Sequence, residues 1–278
     1  MVTIRQMSMA DLPLCRHLVE EAGWNQLDTD WLRAMEMQPD GCFVAEVNGV
    51  PVATTTTCCF GDVAWIAMVL VDKQMRGRGI AKQLLEHAIA FLDHLKMATI
   101  RLDATVFGQS LYQKLGFKDE YEVIRFAGIV NGSFDIRINL NQAQDAGKIA
   151  KLDRQITGTH RQAFLQNLLN AVDCPFFEAM EMAEIVGYAG CRQGRNAIQI
   201  GPVAAMGSGA GISLLNAVAS CFQGKKAYID IPVQNIQAVS WAESHGFTEQ
   251  RRFVRMYRGT EIHDFPEQIW ASSGPEKG

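Results

Sequence analysis

The sequence lacks the features that define several classes of protein. None of its 278 residues belongs to a hydrophobic run as long as a membrane span, and the N-terminal segment has neither the basic nor the apolar part of a signal peptide. The seven cysteines are an odd number without any Cys-x-x-Cys, which argues against a disulfide framework and against a zinc site. We therefore expect a cytoplasmic protein that binds no metal and no membrane.

The sequence also lacks a strong charge of either sign. Its formal net charge is −4, so we expect no general affinity for nucleic acid. One local exception is the arginine-rich run 251–258, in which apolar residues alternate with charged ones, as in a strand with one solvated face. Hydrophobic residues make up 48% and charged residues 20% of the chain, a globular composition with enough length for two domains.

Two glycines stand between a predicted strand, Trp65–Val71, and a predicted helix. The start of a helix exposes free backbone N–H groups and the positive end of the helix dipole, so it can bind a pyrophosphate. Gly77 and Gly79 would let the main chain approach the phosphates closely, and Arg76 and Arg78 add positive charge beside them. The segment predicts a nucleotide-phosphate cradle, although an ordinary strand–helix connection is the alternative.

The spacing of this segment distinguishes it from other phosphate loops. Lys82 stands where a dinucleotide-binding turn has its third glycine, and no Gly-Lys-Ser/Thr follows. Arg76, Gly79 and Ala81 form Arg-x-x-Gly-x-Ala, which resembles the coenzyme A pyrophosphate loop of the GNAT superfamily of N-acetyltransferases. The resemblance implies acetyl-CoA as co-substrate and the following cofactor-binding residues: Val69, Leu70, Val71, Arg76, Gly77, Arg78, Gly79, Ile80, Ala81 and Lys82.

A second motif, Leu-Tyr-x-Lys-Leu-Gly-Phe over residues 111–117, resembles the other half of the same superfamily's cofactor site. In the family, the tyrosine that corresponds to Tyr112 points at the sulfur of the leaving coenzyme A. A thiol has a pKa near 8.5, so a hydrogen-bonding phenol is acid enough to protonate the departing thiolate. The resemblance therefore implies that Tyr112 is the catalytic acid, while a half-buried helix tyrosine is the structural alternative.

The general base and the acceptor pocket are less clearly marked in the sequence. Many family members carry a carboxylate on the strand before the phosphate loop, and this strand has none. We expect Asp103 at the cleft end of its strand as the base, or as a cap of the following turn; Glu46 and a water chain are weaker alternatives. Trp24 and Asn25 are expected to line the acceptor pocket, although a core tryptophan would explain Trp24 equally well.

The second half of the sequence reads as a degenerate copy of the first. At an offset of 130 residues, Gly79 meets Gly209 and Arg125 meets Arg255, but Arg76 meets Met206 and Tyr112 meets Ala242. We predict a catalytic domain over residues 1–130, a linker over 131–147 and a degenerate domain over 148–278 without an active cofactor site. The resemblance implies two GNAT-like domains of the mixed α/β (α+β) class, each a mostly antiparallel, twisted mixed sheet flanked by helices, as in a bacterial subgroup with an extra C-terminal domain.

These observations lead to one expected function and two alternatives. We expect transfer of an acetyl group from acetyl-CoA to a primary amine of a small metabolite, by direct attack in a ternary complex. The alternatives are a peptide N-terminus or lysine side chain as acceptor, and a non-catalytic acyl-CoA sensor. The extra domain could cover the acceptor cleft, form a homodimer contact, or do both.

Overall fold

A computed structural model describes residues 1–171 and 174–278 as a mixed sheet flanked by helices, which confirms the predicted fold class. None of the described helices combines the length and hydropathy needed to cross a bilayer. Helix α3 follows the glycine loop and buries an apolar face that includes Leu84 and Leu85 against the sheet. The helices are α1 (Leu12–Ala22), α2 (Asp28–Met37), α3 (Ile80–His94), α4 (Val106–Lys114), α5 (Ala146–Thr157), α6 (Gln162–Leu169), α7 (Ser208–Ser220) and α8 (Ile236–Ser244).

The described strands form one continuous sheet, in the order β1-β2-β3-β4-β5-β12-β6-β11-β10-β9-β8-β7, with β13 paired to β10. The pairs β4–β5 and β10–β11 are parallel, and the other described pairs are antiparallel. The strands are β1 (Val2–Gln6), β2 (Cys42–Val47), β3 (Val50–Phe60), β4 (Val63–Val71), β5 (Thr99–Thr105), β6 (Lys118–Ile129), β7 (Leu140–Gln142), β8 (Phe177–Glu181), β9 (Glu184–Arg192), β10 (Ile198–Ala205), β11 (Lys226–Pro232), β12 (Thr248–Gly259) and β13 (Ile269–Ala271).

The two halves of the chain exchange their last long strands. Strand β12 from the second half lies between β5 and β6 of the first, and β6 in turn pairs with β11 of the second. The two predicted sheets are therefore joined into one. Within the predicted linker, β7 pairs with β8 and α5 begins at Ala146. The domain boundaries drawn from the sequence remain predictions, because the halves interpenetrate at this point.

In the first half, β4 and β5 separate towards their carboxyl ends. Their pairing runs from Val63↔Thr99 to Trp65↔Arg101 and stops there. A bulge where β4 faces β3 bends the strand, and Met68 within it has a positive φ of 52°. The hydroxyl of Thr54 donates to the Met68 carbonyl at 3.0 Å and fixes the bulge. The result is a V-shaped opening in the sheet.

The second half contains the same separation, but the chain fills it. Strands β10 and β11 pair only up to Ile200↔Ile229. Beyond that point β13 pairs with β10 at Val203 and Ala204, and the Ser272 N–H donates to the Asp230 carbonyl at 2.7 Å. Trp270 on β13 is buried against α7, where a Cβ on Gly211 would overlap its ring. A segment of the protein itself thus occupies the second opening.

Candidate active site

A cleft of about 930 Å³ opens at the V between β4 and β5. Its walls come from the end of β4, the loop 72–79, the start of α3, the end of β5 and the helix α4. Further lining residues come from the α1–α2 connection, from β6 and β12, and from residues 275–276. Both sequence motifs therefore meet in one cleft, which also receives residues from the second half of the chain.

The glycine loop has the geometry of an anion cradle. Gly77 and Gly79 both have φ of 76°, a left-handed conformation that a side chain would strain. No atom lies within 4 Å of the position where a Cβ on either glycine would stand, so the space beside the backbone is open. Gly79 is the N-cap of α3, and a carboxylate cap is absent from that helix start. The free N–H groups of a 15-residue helix therefore point at open space beside the loop.

Two polar side chains shape the loop from within. Asp72 accepts a hydrogen bond from the Gln74 N–H at 2.8 Å and holds the turn that leads to the glycines. The Nε of Arg76 donates to the Val71 carbonyl at 2.9 Å, and its guanidinium has no carboxylate partner in the part of the chain that the structure describes. Arg76 is thus anchored by one donor while the others are available to an anion.

The cleft brings together most of the predicted cofactor-binding residues. Arg78 is not among the described residues that line the cleft, and its guanidinium donates to the Gln74 carbonyl at 3.3 Å. The side chain of Lys82 forms an exposed pair with Glu86 at 3.6 Å. The predicted residues that line the cleft are Val69, Leu70, Val71, Arg76, Gly77, Gly79, Ile80, Ala81 and Lys82.

Tyr112 lies in the same cleft, half-buried on α4. Its ring packs edge-on against Phe117 with centroids 5.9 Å apart, and a Cβ on Gly108 would come within 2.9 Å of it. The hydroxyl makes no hydrogen bond to a described residue. Burial raises the pKa of Tyr112 to about 12, so the phenol keeps its proton at physiological pH. The side chain is a neutral donor positioned in the cleft.

Asp103, the predicted general base, is held in an ion pair in the structure. Both its carboxylate oxygens accept from Arg255 of β12, at 2.8 and 3.0 Å, and the side chain is 1% exposed. A carboxylate held in a bidentate, buried ion pair is poorly placed to accept a proton. This geometry favours a structural role, but as the partner of Arg255 and not as the predicted cap of the following turn, since α4 has no side-chain cap. The assignment of Asp103 as the base stays a prediction.

A matching ion pair occurs across the other exchanged strand. Arg125 of β6 donates to both oxygens of Asp230 on β11, each at 2.7 Å, and both side chains are buried. Asp103 and Arg255 are register partners in β5–β12, as Asp230 and Arg125 are in β11–β6. The second half keeps this pair although its cleft is filled. We therefore assign both ion pairs to the contact between the two halves.

The two predicted acceptor-pocket residues separate in the structure. Trp24 lines the cleft. Asn25 lies outside the described lining residues and is buried at 1% exposure, where its Nδ2 donates to the Ala197 carbonyl and its Oδ1 accepts from the Asn196 and Ala197 N–H groups. Its amide therefore ties the first half to the turn before β10. Glu46, the weaker base candidate, pairs with Arg5 at 2.6 Å and is likewise absent from the described lining.

Sequence reasoning missed several lining residues. The run 251–258 forms strand β12 as predicted, but the expectation of a solvated face holds only in part, since Arg251 and Phe253 line the cleft and Arg255 is buried. Glu276 reaches the cleft from the segment after β13 and accepts from Gln26 at 2.8 Å and Arg192 at 2.5 Å. Burial is the largest influence and raises the pKa of Glu276, but the charges of Arg192 and Lys277 and the hydrogen bond from Gln26 together outweigh burial and hold that pKa below its ordinary value. No local pattern marks these residues, because distant strands bring them together.

Comparisons with known proteins agree with this geometry. Two family models, each described as an acetyltransferase (GNAT) domain, match residues 38–119 and residues 149–271. The uncharacterized N-acetyltransferase YitH of Bacillus subtilis is 24% identical over 222 residues, which cover 78% of either chain.

Solved structures share the fold over the whole length. A proposed acetyltransferase from Pyrococcus horikoshii has a TM-score of 0.87 at 21% identity, covering 100% of this chain and 96% of its own. A tandem GNAT protein from the clavulanic acid biosynthesis pathway has a TM-score of 0.68 at 12% identity, covering 95% of this chain and 100% of its own. At these identities the likeness establishes the fold alone.

Proposed function

Because the chain belongs to the GNAT superfamily of N-acetyltransferases, whose members take the acyl group from an acyl-CoA, we propose that its first half acetylates a primary amine of a small metabolite. The observation that carries this proposal is the juxtaposition, in one open cleft, of the left-handed glycine loop, the unpaired Arg76 and the neutral Tyr112. The second half contributes cleft walls and no second site. We expect the enzyme in the cytoplasm, where its cysteines stay reduced.

The residues of the loop fit a pyrophosphate. Open space at the Cβ positions of Gly77 and Gly79 admits an anion against the backbone, and the N–H groups of α3 with the Arg76 guanidinium supply donors. Apart from the Val71 carbonyl, which accepts from Arg76, main-chain groups of Val69–Val71 that β5 leaves unpaired are available to align an extended arm and an acyl carbonyl. Acetyl-CoA supplies a thioester, which an unprotonated amine attacks directly.

Two proton movements are then required of the protein. Tyr112 donates its hydroxyl proton to the departing sulfur and then regains a proton from water in the cleft. Its raised pKa keeps the phenol protonated throughout the ordinary assay range. The attacking amine must lose a proton first. The described carboxylates that line the cleft, Glu21, Asp103 and Glu276, each already accept hydrogen bonds from other groups. We propose that water in the cleft carries this proton away.

Titration with acetyl-CoA and assay of thiol release with a library of amines test the proposal. We expect one acetyl-CoA site per chain, and a kcat that falls roughly 10²-fold in Tyr112→Phe while the Kd for acetyl-CoA is unchanged. Tyr257→Phe is a matched control, because that tyrosine donates to Glu261 away from the cleft. Undiminished turnover by Tyr112→Phe would contradict the role of the phenol. Binding without thiol release from any amine would indicate a sensor.

A further inference from the structure

Besides Arg76, the cleft contains a second arginine that pairs with no carboxylate among the described residues. Arg251 is half-buried on β12 and makes no ion pair or hydrogen bond with any residue in the described ranges 1–171 and 174–278. The other arginines nearby are neutralised: Arg125 by Asp230, Arg255 by Asp103, and Arg252 by Glu122 and Glu249. A partly desolvated guanidinium whose donors meet no acceptor among the described residues is available to bind an anion.

The surroundings of Arg251 also favour an anion beside it. Arg251 and Arg125 are register partners on adjacent antiparallel strands, so two like charges stand directly opposite each other. Asp230 is the nearby carboxylate, but Arg125 takes both its oxygens and Gln199 donates to one of them at 3.2 Å. Burial and the charge of Arg125 lower the pKa of Arg251. This end of the cleft therefore carries one uncompensated positive charge.

The position of Arg251 separates it from the phosphate loop. The loop follows β4, whereas β12 lies two strands away in the sheet. Regular strand spacing would put them roughly 10 Å apart, and the opening between β4 and β5 increases that separation. Phe253 is the register partner of Thr105, which directly precedes the helix of Tyr112, and Arg251 lies two residues beyond, past the end of β5. The β-bulge between Glu249 and Arg251 sets the direction of this side chain. Arg76 and Arg251 thus mark two distinct anion positions in the cleft.

We propose that Arg251 binds a carboxylate on the acceptor, so that the enzyme acetylates amino acids or other amines that bear a carboxylate. This inference rests on the proposed function, since it assumes that the cleft takes an amine beside acetyl-CoA. A bidentate pair with Arg251 would orient the acceptor with its amine towards the opening between β4 and β5. The phosphates of acetyl-CoA are the other anions that could bind Arg251, and the experiment distinguishes them from an acceptor carboxylate.

Matched acceptor pairs test the proposal. The L-α-amino acids and the ω-amino acids of three to six carbons are compared with their carboxamides, by thiol release from acetyl-CoA. We expect the acids to be preferred in kcat/KM by roughly ten- to hundredfold, and Arg251→Gln to abolish that preference. Arg251→Lys should retain part of it, because a lysine cannot form the bidentate pair. The amines of α-carboxamides are less basic, so more of each is unprotonated, and this difference works against the expected preference.

Arg258→Gln is the control, since Arg258 lies on the same strand but pairs with Asp93 away from the cleft. It should leave the acid preference unchanged. Equal rates for acids and carboxamides in the unmodified enzyme, or an equal loss for both in Arg251→Gln, would overturn the proposal. Weaker acetyl-CoA binding by Arg251→Gln in calorimetry, with the acid preference intact, would assign the guanidinium to the phosphates instead.

Calorimetry on the enzyme loaded with coenzyme A keeps this test independent of turnover. The same amino acids should bind more tightly than their carboxamides, and Arg251→Gln should remove the difference. Absence of any difference here would refute carboxylate recognition even if no acceptor were acetylated. Failure of the unmodified protein to bind acetyl-CoA at all would refute the proposed function itself, so the two failures are distinguishable.

Discussion

The two halves of this protein share a fold but treat the same opening in opposite ways. Residues 72–79 connect β4 to α3 in the first half, whereas only Met206 and Gly207 connect β10 to α7 in the second. The V between β4 and β5 is open, and the V between β10 and β11 holds β13 and Trp270. The short connection carries no arginine to match Arg76, and β13 occupies the opening whose counterpart in the first half is open. The contrast shows which parts of the fold serve binding and which serve stability.

The largest expected difference between the halves concerns the helix N-caps. In Gly79→Asp, a side chain enters a left-handed position and a carboxylate faces the phosphates, so we expect acetyl-CoA affinity to fall by roughly a hundredfold or more. Gly207→Asp is the matched variant, because Gly207 caps α7 with extended backbone, where aspartate is a favourable cap. Calorimetry should show unchanged binding for Gly207→Asp. Equal losses in both variants would break the distinction between the two halves.

The paired aspartates should behave alike despite lying in different halves. Asp103→Asn and Asp230→Asn each leave a buried arginine unpaired, so we expect each to lower the free energy of unfolding by about 3–5 kcal/mol in urea titrations. If Asp103 is structural, the pH profile of kcat/KM of the folded Asp103→Asn enzyme should keep its shape. A profile that loses its acidic limb in Asp103→Asn alone would restore Asp103 as the base.

The smallest effect concerns the filled opening. A Cβ on Gly211 would lie 1.9 Å from the Trp270 ring, so Gly211→Ala should destabilise the protein by about 1–3 kcal/mol. Gly209→Ala on the same helix meets open space and should be neutral or slightly stabilising. Thermal unfolding of the two variants measures the difference. Equal stability would mean that β13 leaves its place readily, and the second opening would then be available to ligands.

The sequence predicted the features that depend on neighbouring residues. The strand before the glycines, the helix after them and the helix of Tyr112 follow from short-range periodicity and turn chemistry, and the structure contains all three. The spacing of Arg76, Gly79 and Ala81, together with the second motif over residues 111–117, identified the family. The internal repeat predicted a second half without an active cofactor site. The constant offset of 130 residues did not show that only Met206 and Gly207 connect β10 to α7.

The features that the sequence did not predict depend on which distant strands pair. An alternating pattern at residues 251–258 indicates a strand but does not name its neighbours, so the burial of Arg255 and the placement of Arg251 in the cleft were not foreseen. The same limit applies to Asn25, whose amide is engaged by a turn near residue 196, and to β13. Which strands pair across such distances in the sequence, and in which register, is decided by packing in the assembled core.

The exchanged strand also has a consequence for the newly made chain. Strand β5 ends at Thr105, but its neighbour β12 begins only at Thr248. At translation rates of about 5–20 residues per second, β5 waits on the order of ten seconds with an unprotected edge. An open edge recruits other strands, so this interval exposes the nascent protein to mispairing. The first half cannot complete its sheet before β12 leaves the ribosome, so the two halves fold as a unit.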